Sequence, residues 1–254
     1  MQQTTQMAQY ERAGVIPAFS DAHCHLELFD NVKKTIVDAR NSGVGIIITA
    51  GGSKERNLMT LDILKGNDVF GVVGIDPESA GRERAFIDDI TEIVKASNRM
   101  IGIGEIGLDS TVLGRSDIHE QRFAFEKQID IAMELDIPVV IHARRALKEV
   151  AEILERKGVR RAVFHYFEGN EEQAKDLSKK GYLISIPPIS SGRIKKVINV
   201  TDINNLVAET DSPVVGKTPS DAIGVIEEIA RIKNVESADA AEIIMENIKN
   251  YFYI

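Results

Sequence analysis

Apolar residues along this chain gather in short runs that alternate with longer amphipathic stretches, and the alternation holds from end to end. Eight runs read as strands: AFSDAH, VGIIITAG, DVFGVVGI, MIGIGEIGL, IPVVIHA, RAVFHYF, GYLISI and NLVAET. Between them, NVKKTIVDARNS, GRERAFIDDITEIVKAS, HEQRFAFEKQIDIAMELD and ALKEVAEILERKG have the three-to-four-residue spacing of helices with one buried face. In the third, Phe123, Ile129, Ala132, Met133 and Leu135 form the predicted buried stripe. Residues 218–250 predict two more helices after the last strand. The strands are rich in Val and Ile and lack clean alternation, as expected of a parallel sheet covered by helices. Eight such units close naturally into an α/β (β/α)8 TIM barrel, whereas open doubly wound sheets usually have about five or six strands. GIGEIG falls inside the fourth run and not in a phosphate-binding turn, which argues against a dinucleotide fold.

The 254 residues suit one such barrel, predicted over residues 18–254 behind a polar extension at residues 1–17. A hydrophobic content of 43% with 28% charged residues describes a soluble globular chain. No apolar run approaches the ~18 residues of a membrane span, so no membrane association is predicted. A single cysteine excludes an internal disulfide and fits a reducing cytoplasm. The net charge of -8 excludes a broadly basic, nucleic-acid-coating surface. It leaves room for one cleft made positive by bound cations and a few arginines. Nothing in the sequence points to an obligate protein partner.

Active sites of such barrels lie at the C-terminal ends of the strands, so candidate chemistry is sought there. The first strand ends in FSDAHCHLEL, where His23 and His25 share one face and Cys24 takes the other. Two neutral imidazoles converging on one point can hold a divalent metal. The fourth strand ends in GEIGLD, with Glu105 and Asp109; the fifth in VVIHAR, with His142 and Arg144. The sixth offers His165 in VFHYFEG, and the eighth Glu209 and Asp211 in VAETDSP. Of the 5 histidines, only His119 falls elsewhere, in the turn before a helix. Each has a structural alternative when taken alone. His142 can be a buried core histidine, Glu105 a carboxylate tied to backbone amides, Asp211 the shaper of a turn, and Arg144 with Arg145 a solvated helix end. A dinuclear metal centre explains all of them together.

With these motifs in place, the chain resembles the TatD family of metal-dependent hydrolases from about Phe19 onward. DAHCHLE resembles that family's opening motif, IGEIGLD its fourth-strand motif, and AETDSP its eighth-strand motif. QRFAFEKQIDIAMELDIPVVIHARRA is similar to the family's helix-to-fifth-strand signature, and ENIKNYF to its closing helix. The resemblance implies two divalent ions (Zn, Mn, Mg or Ni). It implies that His23, His25 and Asp211 hold one ion, that His142 and His165 hold the other, and that Glu105 bridges them. It further implies a phosphodiesterase or deoxyribonuclease acting on DNA or a small phosphodiester. Attack would come from a metal-bridged hydroxide, with Asp211 as base.

Three departures from the family pattern bear on the substrate. GIDPES carries Asp76 where the family has a histidine facing the substrate, so a carboxylate entering the cleft would repel a phosphate or add a metal ligand. Aromatic residues that commonly follow the fourth-strand Asp are replaced by STVLG. Arg145 stands where an acidic residue is usual, and Lys217 follows the eighth strand closely. Arg144, Arg145 and Lys217 at the mouth would suit an anionic substrate. The alternative reading is an amidohydrolase-type enzyme cleaving an amide, lactone or ester with the same centre. A third is a metal-binding barrel without turnover, which gives no physical reason to keep both Glu105 and Asp211.

Overall fold

A computed structural model describes residues 19–254; the extension expected at residues 1–17 lies outside the described residues. Eight strands alternate with helices: β1 Phe19–Cys24, α1 Val32–Asn41, β2 Val44–Gly52, α2 Lys54–Gly66, β3 Phe70–Ile75, α3 Ile90–Lys95, β4 Met100–Asp109 and α4 Ile118–Glu134. The series continues through β5 Val139–Arg144, α5 Leu147–Lys157, β6 Ala162–Phe164, α6 Glu171–Lys179, β7 Leu183–Ile186, α7 Gly192–Val200, β8 Leu206–Ala208 and α8 Ala222–Lys233, with α9 at Ser237–Phe252. The strands form one sheet in sequence order, and every adjacent pair is parallel. With helices between the strands, this is the (β/α)8 barrel that the pattern predicts. Among the described residues, no helix is long and apolar enough to cross a membrane.

Most of the apolar core lies between strands and helices, around fully buried Ile47, Ile103, Phe125 and Phe164. A second cluster runs from strand to strand through Ile48, Val72, Val140, Val163 and Val207, and takes in Ile248 and Phe252 of α9. The Tyr251 hydroxyl donates to the Ala162 and Gly181 carbonyls and accepts from the Ala162 amide, near the starts of β6 and β7. Helix α9 therefore covers the N-terminal end of the barrel, and chemistry is left to the opposite end.

The helical pattern is right in kind and shifted in detail. GRERAFIDDITEIVKAS is a 3-10 turn at Arg84–Asp89 followed by the short α3, and His119 lies in the first turn of α4. The buried face of α4 is Gln121, Ala124, Phe125, Gln128, Ile129 and Ala132. Met133 is exposed, and Phe123 is half-buried beneath the Arg84 guanidinium, 3.6 Å from its ring centre. The pattern does not single out α2 because its apolar Leu58 and Met59 are exposed, while polar Asn57 and Thr60 face inward.

Buried amides replace ladder bonds where the strands part near the site. Pairing of β3 with β4 ends at Val73–Ile103. Beyond it, Gln128 accepts from the Ile75 amide at 2.6 Å and donates to the Ile75 carbonyl at 3.1 Å. Asn57 accepts from the Gly52 and Gly74 amides, both at 3.2 Å, and donates to the Gly74 carbonyl at 2.7 Å. Gln121 serves Asp109 in the same way, at 2.8 and 3.1 Å. An apolar replacement leaves such backbone groups buried and unpaired, at a cost of ~1–3 kcal/mol per group. Gln128→Met should therefore lower the unfolding free energy by about 2–3 kcal/mol in urea titrations. A loss under ~0.5 kcal/mol would show that the amide does not serve as a ladder.

Candidate metal centre

The seam between β8 and β1 brings the first three candidate residues together. Beyond β8, the amides of Thr210 and Asp211 both donate to the His23 carbonyl, at 3.3 and 2.9 Å, and the His25 amide donates to the Ser212 carbonyl at 2.8 Å. Asp21, fully buried in β1, accepts from the Thr210 amide at 2.9 Å and hydroxyl at 2.6 Å. These bonds hold Asp211 opposite both imidazoles. Its Oδ1 lies 3.1 Å from His25 Nε2 and 3.9 Å from His23 Nε2. Asp211 adopts a positive φ of 48°, a left-handed conformation that Asp tolerates better than most residues.

Glu105 projects from β4 where its register against β5 is irregular, between Ile103 and Ile106. At Gly107 (φ +150°) a Cβ would fall 1.9 Å from the His142 carbonyl oxygen, so only glycine lets β5 approach so closely here. The Glu105 carboxylate divides its two oxygens between two sets of imidazoles. Oε2 lies 3.7 Å from His23 Nε2 and 3.8 Å from His25 Nε2. Oε1 lies 3.1 Å from His165 Nε2 and is hydrogen-bonded to His142 Nδ1. His23 stacks on His165, with ring centres 3.9 Å apart.

The outer ring edges of His25 and His142 have hydrogen-bond partners, and that of His165 has a carboxylate nearby. His25 Nδ1 lies 3.0 Å from the Ala50 carbonyl oxygen and 3.4 Å from Glu27 Oε1. His165 Nδ1 lies 3.4 Å from Glu209, a fully buried carboxylate that also accepts from the Tyr166 amide and the Ser185 hydroxyl. His142 Nε2 meets Asp109 at 3.0 Å, and Thr111 holds that carboxylate from its other side. Neither ring nitrogen of buried His23 has a hydrogen-bond partner.

The field of the site separates these groups. Burial, then the charges of His165 and His25, holds His23 well below the ordinary imidazole range. Burial opposes the proton on His25, but hydrogen bonds to Asp211 and Glu27 outweigh it, and its pKa rises to about 10. His142 rises to about 9, with burial overcome by Glu105 and Asp109, and Glu105 raises His165 in the same way. Burial would raise Glu105, yet His165 and His142 bring it well below the carboxylate range. Asp109 falls to about 2, its burial outweighed by His142 and Thr111.

The donor set suits divalent cations. His23, His25 and Asp211 offer ligand atoms within 4.8 Å of one another, and so do His23, Glu105 and His165. All five residues are buried. An unpartnered imidazole between two buried carboxylates lacks a positive partner, and a mixed N/O cluster supplies one by binding a dication.

The cavity over this cluster has a volume of about 420 Å³; its lining includes His25, Glu105, His142, His165 and Asp211, the cations Arg56 and Arg144, the carboxylates Glu78 and Glu168, and apolar Leu28, Val214 and Val215. Of the cations expected at the mouth, only Arg144 lines it. Arg145, at a φ of 51°, faces a neighbouring depression with Lys148 and Glu149, because the chain turns away after β5. Lys217 lines a groove against α8, where its own backbone amide is tied to Asp221. Asp76 does not line the cavity. Its carboxylate accepts from the Ser79 amide at 2.7 Å and lies 3.9 Å from Arg56 Nη1. Burial, then the Glu105 charge, pushes it up to about 6. Arg56, in the first turn of α2, is a residue at the site that no motif marks; Glu27, which binds it, closes the DAHCHLE motif but is not among the predicted site residues. The one signal for Arg56 is position, since it follows a strand end.

Residues 20–253 match the family model for TatD-related DNases. The chain is 30% identical over 245 residues to a metal-dependent hydrolase of Methanocaldococcus jannaschii, covering 92% of this chain and 96% of that one. It is 28% identical over 258 residues to the human deoxyribonuclease TATDN3, covering 91% and 93%. Among solved structures, a TatD family hydrolase from Entamoeba histolytica superposes with a TM-score of 0.87 at 18% identity, covering 94% of this chain and 99% of that one.

A pH dependence follows for the metal-free protein. His25 and His142, near 10 and 9 when folded, lie above the ~6.5 of an unfolded imidazole. Their contribution to stability is complete below ~6.5 and fades as the pH rises through the folded values, because the folded state then holds more protons than the unfolded one. Chelator-treated protein should therefore unfold at a lower urea concentration at pH ~9.5 than at pH ~7. A midpoint that stays level or rises would contradict the charge arrangement.

Proposed function

The chain belongs to the TatD family of metal-dependent hydrolases, and from that premise we propose that it cleaves phosphodiester bonds, in DNA or a smaller phosphodiester, at a pair of divalent ions. In this reading His23, His25 and Asp211 would hold one ion, His142 and His165 would hold the other, and Glu105 would serve both. The observation that carries it is the Glu105 carboxylate, whose two oxygens face different imidazoles. The N/O ligand set accepts Zn, Mn, Mg or Ni without selecting one. Such ions lower the pKa of water and offset charge on phosphoryl oxygens.

The chain's own residues supply the rest. Asp211, held over the cavity by the β8–β1 seam, accepts the proton of the attacking water. Asp109 and Glu209 orient His142 and His165 through their second nitrogens. Arg144 on the cavity wall meets the negative charge of the substrate. That cation, and the deoxyribonuclease name of the human relative, support a phosphodiester over a neutral ester. Cys24 is free and buried, which suits a reducing compartment such as the cytoplasm.

Chelated protein should be inactive on single-stranded DNA and on bis(p-nitrophenyl) phosphate, and Mn²⁺, Mg²⁺ or Zn²⁺ should restore turnover. Cleavage of a neutral lactone or ester alone would overturn the phosphodiesterase reading in favour of an amidohydrolase-type activity. Asp211→Asn should cut kcat by about 10² or more, the usual scale for a lost general base. A kcat within a few-fold of wild type would remove Asp211 from that role. Elemental analysis should find both ions lost in Glu105→Ala and about one in His142→Ala. Wild-type metal content in Glu105→Ala would show that Glu105 is not a bridge.

A further inference from the structure

The first turn of α2 carries a second cation to the cavity, held in an unusual way. Ser53 caps this helix by accepting from the Arg56 amide at 3.3 Å, and buried Asn57 ties the same turn to β2 and β3. The Arg56 guanidinium is pinned along one edge: Nε and Nη2 both donate to Glu27 Oε1, at 2.9 and 2.7 Å. The Glu27 side chain has no exposed surface. Nη2 also lies against the His25 ring, 2.6 Å from Nδ1. Nη1 makes no hydrogen bond among the described residues. The side chain is 26% exposed, and it lines the cavity.

A guanidinium fixed on one edge by a carboxylate, on a side chain that lines the cavity and whose Nη1 makes no hydrogen bond among the described residues, has N–H groups left to take an oxyanion. One neighbour limits which oxyanion fits and another leaves room for it. Asp76 Oδ2 stands 3.9 Å from Nη1, too far to satisfy it and near enough to repel a second negative charge. Gly52, at a φ of +144°, keeps the adjoining space open, since a Cβ there would lie 2.7 Å from Asp76 Oδ2 and 3.3 Å from Arg56 Nη1.

We propose that Arg56 Nη1 binds a non-bridging oxygen of the substrate, and that Asp76 beside it sets the preference for a singly charged phosphodiester over a doubly charged phosphomonoester. This assignment rests on the phosphodiesterase reading. Arg56 is then a substrate-binding residue and Asp76 a specificity determinant that works by like-charge repulsion. Arg56 and Asp76 act in opposite directions on the same anion.

The test is equilibrium binding of an uncleavable phosphorothioate dinucleotide and of phenyl phosphate to fully metal-loaded protein, with metal content measured in parallel. Arg56→Gln should weaken dinucleotide binding about tenfold and raise KM for a diester, with metal content unchanged. Asp76→Asn should tighten binding of both anions, the monoester by the larger factor. It leaves the Glu27 anchor in place, so it tests the assignment even if Arg56→Gln fails to fold. Metal loss in Arg56→Gln would place its role in His25 and overturn the assignment. So would weaker binding in both variants, or equal gains for the two anions in Asp76→Asn. A wild-type protein that binds no diester would overturn the phosphodiesterase reading, and this assignment with it.

Discussion

One buried carboxylate organises this molecule. Glu105 lies among imidazoles from three separate strand ends, almost without solvent. A carboxylate in that position carries a desolvation cost that only nearby positive charge can offset. Without metal, that charge comes from protons on His25, His142 and His165, which explains why their pKa values rise together while Glu105 falls. Divalent ions would compete for the same nitrogens, so metal binding and proton release are two sides of one equilibrium.

The scaffold is arranged around that centre. The β8–β1 seam is closed by bonds that belong to site residues or their neighbours: His23 and Ser212 carbonyls, His25 and Asp211 amides, and the Asp21 side chain. Closing the barrel and aligning His23, His25 and Asp211 are thus a single structural event. Near the site, Asn57, Gln121 and Gln128 reach in from α2 and α4 to satisfy strand ends whose pairing stops. Below, α9 covers the barrel's other end, so solvent meets the polar cluster from one side.

The strands and the inward-facing polar residues were legible because both obey local rules. Val- and Ile-rich runs mark parallel strands, and four histidines at the ends of such runs mark one barrel mouth. What sequence did not give was direction after a strand ends. Arg144 and Arg145 are adjacent, yet only the first lines the cavity, because the backbone turns to a positive φ at the second. Lys217 is near Asp211 in sequence but follows the chain toward α8. Asp76 stands out as a departure from the family, and it lies 3.9 Å from Arg56, a residue in an unmarked helix whose inward face carries polar Asn57 and Thr60 beside Leu64. A cation that depends on a partner 29 positions away, as Arg56 does on Glu27, leaves no local trace.

The central claim is that Glu105 joins two cations. Its most direct test is a crystal structure of Mn²⁺- or Zn²⁺-loaded protein with anomalous scattering collected at the metal edge. The expected result is two anomalous peaks about 3.5–4 Å apart, one on each side of the Glu105 carboxylate, with His23, His25 and Asp211 at one and His142 and His165 at the other. A single peak away from Glu105, or two peaks too far apart to share its carboxylate, would contradict it.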